Sequence, residues 1–178
     1  MACKCALPSN VMSVQRVDIE TVSFKLDTRP TKWDKRFLAL AEHIAQWSKD
    51  PSTKVGAVIV DKDKRVVGMG YNGFPRGVED TEKRYNDRPV KYAMVVHAEL
   101  NAILNAKSSV EGCTIYVWPQ FVTDAPPTCE ECAKAIIQSG IKRVVGSNPG
   151  IRDGSAWTDG IKLAQQMYKE AGVIVDHV

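Results

Sequence analysis

The first regular pattern of hydrophobic positions is helical, and the next is strand-like. From Thr31 to about Ser48 apolar residues recur at helical spacing, and Thr31 followed three positions later by Asp34 is typical of a helix start. Two short runs rich in β-branched residues follow at 55–60 and 65–70, with a polar turn between them. The pattern predicts a helix followed by a β-hairpin.

The remainder of the chain alternates helical patterns with short apolar runs. The predicted elements are, in order, a polar surface excursion at 76–92, a helix after His97 with Leu100, Ile103 and Leu104 on its apolar face, a strand at 113–118, a proline-rich loop at 119–128, a helix ended by Gly140, a strand at 141–145, a helix at 160–171 and a strand at 173–175. Strands separated by helices imply parallel βαβ units, whereas the two hairpin strands are antiparallel. We therefore predict an α/β fold of three layers, α/β/α, with a mixed sheet of about five strands and helices on both faces.

The length of 178 residues is that of a single domain. Residues 1–30 differ from the rest because they lack glycine and helical periodicity, and we interpret them as an N-terminal extension. Such a segment forms either an extra strand or interaction arm, or a loosely ordered extension, and the sequence leaves these alternatives open. The folded domain is predicted to cover residues 31–178.

The balance of residue types is that of a globular protein. Hydrophobic residues make up 44% of the chain and charged residues 25%, and the net charge of +3 comes from interspersed acidic and basic residues. A dedicated nucleic-acid binder usually shows a clustered basic stripe, so nucleic acid is not expected as a partner. No apolar run approaches the ~20 residues that span a bilayer, and the first residues lack a secretory signal. We therefore expect a cytoplasmic protein without a membrane segment.

The five cysteines are interpreted as reduced thiols, because an odd number without a secretory signal argues against a disulfide framework. Cys129 and Cys132 lie three positions apart at a predicted helix start. Free N–H groups and the helix dipole favour the thiolate form there, which prepares two anionic sulfur ligands. The pair is predicted to bind zinc, and the alternatives are a redox pair or two inert thiols.

His97 and Glu99 form the second candidate group. His97 opens a predicted helix, where the backbone is still turning and both side chains can converge on one point. A lone histidine in this setting is more often a structural residue than a ligand. Together with Cys129 and Cys132, however, it makes three protein ligands, which leave zinc an open fourth position for water, as in catalytic sites. Glu99 is then placed to take the proton of that water and pass it to a departing amine.

The combination of His97-Ala-Glu99 with Cys129-Glu-Glu-Cys132 resembles the zinc-dependent cytidine deaminase superfamily. Further segments resemble one branch of it, the deoxycytidylate (dCMP) deaminases; they lie at 48–61, 70–77, 97–104 and 129–141. The resemblance covers about residues 32–146 and implies a cytidine-deaminase-like fold for a catalytic domain at 31–178. It also implies hydrolytic deamination of dCMP to dUMP with release of ammonia, supplying dUMP for thymidylate synthesis. In that reaction zinc-bound hydroxide attacks C4 of cytosine and Glu99 shuttles protons.

The resemblance also implies roles for residues outside the two zinc motifs. Ser48 and Lys49 match the segment near the substrate phosphate, and Asn72 matches a residue that approaches the sugar and the base. Tyr71, Asn72 and Gly73 match a loop that borders an allosteric site, at which dCTP with Mg²⁺ activates and dTTP inhibits. The assembly implied is a homo-oligomer, a hexamer or a dimer.

The approach to Cys129 departs from the pattern of the family. Thr128 stands directly before Cys129, where the family usually has proline, and the stretch 118–128 is longer than usual. The substrate therefore stays open between dCMP and another cytosine nucleotide such as CMP, dCTP or a 5-substituted dCMP. A catalytically silent zinc-binding regulatory subunit is a further alternative, which Glu99 disfavours because a structural site has no need of the carboxylate. Residues 73–96 contain no cysteine or histidine, so no second zinc site is predicted there.

Overall fold

The structure, a computed structural model, describes residues 30–120, 125–147 and 158–178. Its helices are α1 (Lys32–Ala45), α2 (Glu82–Asn86), α3 (Arg88–Met94), α4 (Ala98–Asn105), α5 (Glu130–Gln138) and α6 (Thr158–Ala171), and its strands are β1 (Gly56–Val60), β2 (Val66–Tyr71), β3 (Thr114–Trp118), β4 (Arg143–Gly146) and β5 (Ile174–His177). Residues 1–29 of the predicted extension lie outside the described residues, and so do residues 121–124 of the predicted loop. None of the described helices combines the length and the apolar character needed to cross a bilayer.

The described strands form one five-stranded sheet in the order β2-β1-β3-β4-β5. Strand β1 is antiparallel to both β2 and β3, whereas β3, β4 and β5 run parallel to one another. Helix α5 connects β3 to β4 and helix α6 connects β4 to β5, because parallel neighbours need a crossover longer than a tight turn. The predicted mixed sheet with an antiparallel hairpin is confirmed.

The sheet is covered by helices on both faces, which confirms the predicted three layers. On one face α1 packs against the sheet through a cluster that includes Phe37, Leu38, Val58 and Tyr116. On the other face α4, α5 and α6 cover a second cluster, composed mainly of small and β-branched residues such as Ala98, Ile115, Ile136 and Ala164. Strand β1 is buried along its whole length because alternate side chains enter the two clusters.

Helix α1 begins as the sequence predicts, with a complete capping box. The Asp34 backbone N–H donates to the Thr31 hydroxyl at 3.2 Å, and the Thr31 backbone N–H donates to the Asp34 carboxylate at 2.8 Å. The same carboxylate accepts hydrogen bonds from the Tyr116 hydroxyl at 2.8 Å and from Arg143 at 2.7 Å. Asp34 therefore caps α1 and also ties it to β3 and β4. The helix ends at Ala45, a little before the predicted end.

The predicted polar excursion at 76–92 is wrong in part, because it contains two short helices. The side chains of Thr81 and Asp87 accept hydrogen bonds from the backbone N–H groups of Arg84 and Val90 and so cap α2 and α3. Small polar residues are typical of loops, but the same residue types also begin helices. Two helices therefore lie directly before His97.

Helix α4 contacts the sheet mainly through alanines, and Ile103 packs against the same cluster while remaining partly exposed. Ala98 and Ala102 are fully buried, whereas Leu104, predicted to lie on the apolar face, is 69% exposed. The reason is the close approach of α4 to β2 at Gly70. A Cβ atom at Gly70 would lie 2.6 Å from the carbonyl oxygen of Ala98 and would also contact the backbone nitrogen of Ala102. The predicted position of the helix is confirmed, and its predicted apolar face is wrong at Leu104.

Gly70→Ala is expected to lower the free energy of unfolding by about 1–3 kcal/mol, because the added methyl group must push the backbone of α4 away from β2. The measurement is urea denaturation of the zinc-loaded protein. Gly160→Ala is the matched control, since the nearest atoms to a Cβ atom there belong to the flexible carboxylate of Glu130 rather than to backbone. Equal stability of the two variants would contradict the tight contact between α4 and β2.

Candidate metal centre and active site

Three potential metal ligands meet at the ends of two helices. His97 is the N-cap of α4 and Cys129 is the N-cap of α5, and neither side chain makes the usual capping hydrogen bond to its helix. Cys132 follows in the first turn of α5. The Nδ1 atom of His97 lies 3.4 Å from the Cys129 sulfur and 3.3 Å from the Cys132 sulfur. The structure thus brings together the three residues that the sequence predicts as ligands.

The donor set fits zinc. The ligand atoms of His97, Cys129 and Cys132 all lie within 4.8 Å of one another, and within the described part of the chain this is the group of histidine, cysteine and acidic side chains placed to hold a metal ion. In a tetrahedral site with bonds of about 2.1 Å to nitrogen and about 2.3 Å to sulfur, such atoms lie about 3.6 Å apart. Two sulfurs with one imidazole nitrogen are also the soft donors that zinc accepts.

The electrostatics of the cluster favour a thiolate at Cys129. A hydrogen bond from the Cys132 thiol lowers the pKa of Cys129, and the neighbouring His97 lowers it further. The same contact with Cys129 raises the pKa of His97 to about 9. The N-terminal end of α5 also favours negative charge at this place, because its first N–H groups are free of intrahelical partners. The site is therefore built around an anionic sulfur.

Glu99 lies beside this cluster without belonging to the ligand group. Its side chain is only 4% exposed, and it interacts with both His97 and Cys132. Burial raises the pKa of the Glu99 carboxyl, while the positive charge of His97 opposes that rise. A buried carboxyl with a raised pKa next to a metal site is suited to accept and return protons.

Ser48 and Asn72, two of the predicted substrate residues, are buried and contact each other. The Ser48 hydroxyl donates to the backbone carbonyl of Asn72 at 2.8 Å. The Asn72 side chain accepts from the Val55 N–H at 2.8 Å and donates to the Thr53 carbonyl at 2.8 Å. Asn72 therefore fastens the segment before β1 to the end of β2.

Lys49, the third predicted substrate residue, is exposed. Its ammonium group lies 2.8 Å from the carboxylate of Asp80, and that ion pair raises the pKa of Lys49. A salt bridge with such an exposed lysine contributes little to stability. The positive charge of Lys49 therefore lies at the protein surface, beside Asp80.

Tyr71 and Gly73, predicted at the edge of an allosteric site, lie on either side of Asn72 in the chain and contact different parts of the protein. Tyr71 is the last residue of β2, is partly exposed, and its ring meets the Trp47 ring edge-on with the centroids 6.2 Å apart. Gly73 forms an isolated antiparallel bridge to Val96, with its N–H 3.1 Å from the Val96 carbonyl. The bridge holds the residue directly before His97.

A buried ion pair near Asn72 was not foreseen from the sequence. The Lys91 ammonium lies 3.1 Å from Asp50 and 2.8 Å from the Ser52 hydroxyl, and its side chain is about 5% exposed. Burial by itself would raise the pKa of Asp50, but hydrogen bonds from the Ser52 and Thr53 N–H groups and from Lys91 outweigh it, so the pKa is lowered. The pair anchors α3 to the loop whose Thr53 carbonyl holds Asn72. A lysine within a polar run carries no signal of burial.

The fold and this donor set are those of a known family. The family model described as the cytidine and deoxycytidylate deaminase zinc-binding region matches residues 31–147. The chain belongs to this family. With the His97, Cys129 and Cys132 cluster, membership of the deaminase family identifies the chain as a zinc-dependent deaminase.

Relatives of this deaminase are found among both sequences and solved structures. It is 46% identical to an uncharacterised deaminase in the luxG 3′ region of Aliivibrio fischeri, over 82% of this chain and 92% of that protein. It is 43% identical to the deoxycytidylate deaminase of Mus musculus, over 80% of this chain and 77% of that protein. The crystal structure of a dCMP deaminase from the cyanophage S-TIM5, in complex with dCMP and dUMP, aligns at a TM-score of 0.62 and 27% identity, covering 84% of this chain and 99% of that one.

Proposed function

We propose that this chain catalyses the hydrolytic deamination of dCMP to dUMP with release of ammonia. The observation that carries the proposal is the buried Glu99 carboxyl beside the cluster of His97, Cys129 and Cys132. Relatives named deoxycytidylate deaminase, at 41–43% identity over four fifths of the chain, support dCMP as the substrate. The cyanophage dCMP deaminase with dCMP and dUMP supports it as well.

The three ligands would hold zinc through one nitrogen and two sulfurs. When bound, zinc supplies a Lewis acid that makes a water molecule nucleophilic near neutral pH. His97 and Cys129 offer their side chains from helix N-caps, and Cys132 offers its sulfur from the buried face of α5. Because all three come from helix starts that pack on the same sheet face, the ligands are in place before substrate arrives.

We propose Glu99 as the group that moves the protons. The water oxygen forms a bond to C4 of the cytosine ring while Glu99 takes one water proton and delivers it to N3. Glu99 then takes the second proton from the new hydroxyl group and delivers it to the exocyclic amine. The C4–N4 bond breaks, ammonia leaves, and the ring keeps a carbonyl at C4 and a proton at N3. Both water protons are accounted for, and the raised pKa of Glu99 supports this use.

For substrate binding we propose the segment that contains Ser48, Lys49 and Asn72. Ser48 and Asn72 are buried and hydrogen-bonded to each other, so they would form the buried part of the substrate site. Lys49 carries an exposed cation whose present partner is the Asp80 carboxylate, and a nucleotide phosphate can take the place of that carboxylate. A phosphate contact of this kind favours a nucleotide over a nucleoside.

We also propose a nucleotide-regulated homo-oligomer, which rests on the resemblance and on the position of the loop. Tyr71, Asn72 and Gly73 lie where β2 ends, next to the segment before His97. An effector there, such as dCTP with Mg²⁺ or dTTP, would act on Asn72 and on the His97 segment through backbone contacts. The cytoplasmic location stays a prediction.

The test is a deamination assay of zinc-loaded protein on dCMP, CMP, dCTP, deoxycytidine and a 5-substituted dCMP, each with and without dCTP and Mg²⁺. We expect the highest kcat/KM on dCMP, with deoxycytidine roughly 10–100-fold lower because it lacks the charged phosphate contact. A preference for CMP, dCTP or 5-substituted dCMP would change the proposed substrate but would not contradict the proposed reaction mechanism. Zinc-loaded protein without turnover on any of the five would favour the silent regulatory subunit.

A further inference from the structure

We propose that Tyr168 is a positioning residue for the zinc ligand Cys129 and acts through the hydroxyl group of Thr128. Thr128 directly precedes Cys129, and its hydroxyl lies 2.7 Å from the hydroxyl of Tyr168. Both residues are buried, with Thr128 3% and Tyr168 1% exposed. Tyr168 lies in α6, beyond the residues 31–147 that the family model matches. The inference rests on the proposed zinc site but not on the proposed substrate.

Three of the four residues described directly before Cys129, at 125–128, make tertiary contacts. The Ala125 carbonyl accepts a hydrogen bond from the Gln120 side chain at 3.0 Å. Pro127 packs against Gly146, where a Cβ atom would come within 2.8 Å of the proline ring. Thr128 is the last residue of the segment, and its contact is the hydrogen bond to Tyr168.

Thr128 is less restricted than the two prolines before it. The rings of Pro126 and Pro127 fix their φ angles, whereas threonine has no ring and its φ can take a wider range. Cys129 follows as an N-cap with φ −76° and ψ 171°, outside the regular helix, so its position depends on the peptide before it. Anchoring the Thr128 hydroxyl on α6 removes that freedom.

The two sulfur ligands therefore differ in what holds them. Cys132 lies inside α5, is 3% exposed, and is fixed by the helix and its packing. Cys129 is held on its C-terminal side by α5, where the Ala133 N–H donates to its carbonyl at 2.9 Å, and on its N-terminal side by the hydrogen bond between Thr128 and Tyr168. Loss of that bond is expected to loosen the Cys129 sulfur while the Cys132 sulfur keeps its place, and so to weaken zinc binding without removing a ligand.

The test uses the full-length protein with Tyr168→Phe, Thr128→Val and the double variant. Zinc affinity is measured by competition with a chromophoric chelator, and the ligand geometry is followed through the thiolate and d–d absorption bands of the Co²⁺-substituted protein. We expect each single variant to weaken zinc binding by roughly 10–100-fold and to change the Co²⁺ spectrum. The double variant should be no weaker than either single one, since both remove the same bond. Thr128→Ser keeps the hydroxyl and should bind zinc as the wild type does.

Tyr116→Phe is the matched control. It also removes a buried tyrosine hydroxyl, here the one that donates to Asp34 at 2.8 Å on the opposite face of the sheet. It should lower thermal stability and leave zinc affinity and the Co²⁺ spectrum unchanged. Wild-type affinity and spectrum in Tyr168→Phe would overturn the proposal, and so would an equal loss of affinity in Tyr116→Phe. Wild-type protein that binds no zinc would instead overturn the proposed function.

Discussion

Glu99→Gln is expected to lower kcat on dCMP by about 10²–10⁴-fold while the protein retains its zinc. Glutamine has nearly the same shape and fills the same buried position, but it cannot accept the water proton or return it. The residue is not one of the three clustered ligands, so its replacement removes no donor from the metal. The measurement pairs steady-state kinetics on dCMP with the zinc content of the purified protein.

The matched control for this variant is Glu131→Gln on α5. Its carboxylate is exposed and pairs with Lys134 along the same helix, at 2.6 Å. We expect zinc content and kcat within about twofold of the wild type, because exposed pairs of this kind contribute little. Wild-type turnover in Glu99→Gln would remove Glu99 from the mechanism, and loss of zinc in it would make Glu99 part of the metal site.

Lys91→Met is expected to lower the free energy of unfolding by about 3 kcal/mol, because it leaves the buried carboxylate of Asp50 without its cation. Asp50 keeps its hydrogen bonds from the Ser52 and Thr53 N–H groups. The expected loss of stability is therefore near the lower end of the range found when one partner of a buried ion pair is removed. The measurement is denaturant unfolding of the zinc-loaded protein at pH 7. An effect on KM is also expected, because the same loop carries the Thr53 carbonyl that holds Asn72.

The loss in Lys91→Met should depend on pH in a defined direction. The pKa of Asp50 is lowered in the folded protein, so its stabilising contribution is present above the unfolded aspartate pKa of about 3.9. That contribution disappears as the pH falls through the folded pKa. The difference in stability between wild type and variant is therefore largest near neutral pH and shrinks as the pH is lowered towards 3.

Two further variants isolate the buried charge as the cause. Asp50→Asn in the Lys91→Met background should recover much of the lost stability, because no unpaired charge is then buried. Lys62→Met removes a lysine from an exposed pair with Asp63, 3.2 Å apart, and should leave stability unchanged. A pH-independent loss in Lys91→Met would instead point to lost packing of the lysine side chain.

The elements of the fold follow largely from local signals. The capping box of Thr31 and Asp34 and the β-branched runs of the hairpin depend on residues within a few positions of one another, and the structure confirms them. The prediction that was wrong for helix α4 has a tertiary cause. Leu104 is exposed because α4 approaches β2 so closely at Gly70 that Ala98 and Ala102 make the contact there, and periodicity alone does not report how close a neighbouring strand lies.

The sequence by itself determined which residues are able to hold zinc, because ligand chemistry and the short spacing of Cys129 and Cys132 are local properties. Only the tertiary structure decided that His97 meets them, since the chain path from α4 through β3 to α5 brings together residues more than thirty positions apart. The same holds for Lys91 with Asp50, 41 positions apart, and for Tyr168 with Thr128, 40 positions apart. Each of these contacts stabilises groups whose partners no local pattern specifies, because burial and hydrogen bonding depend on packing across the whole fold.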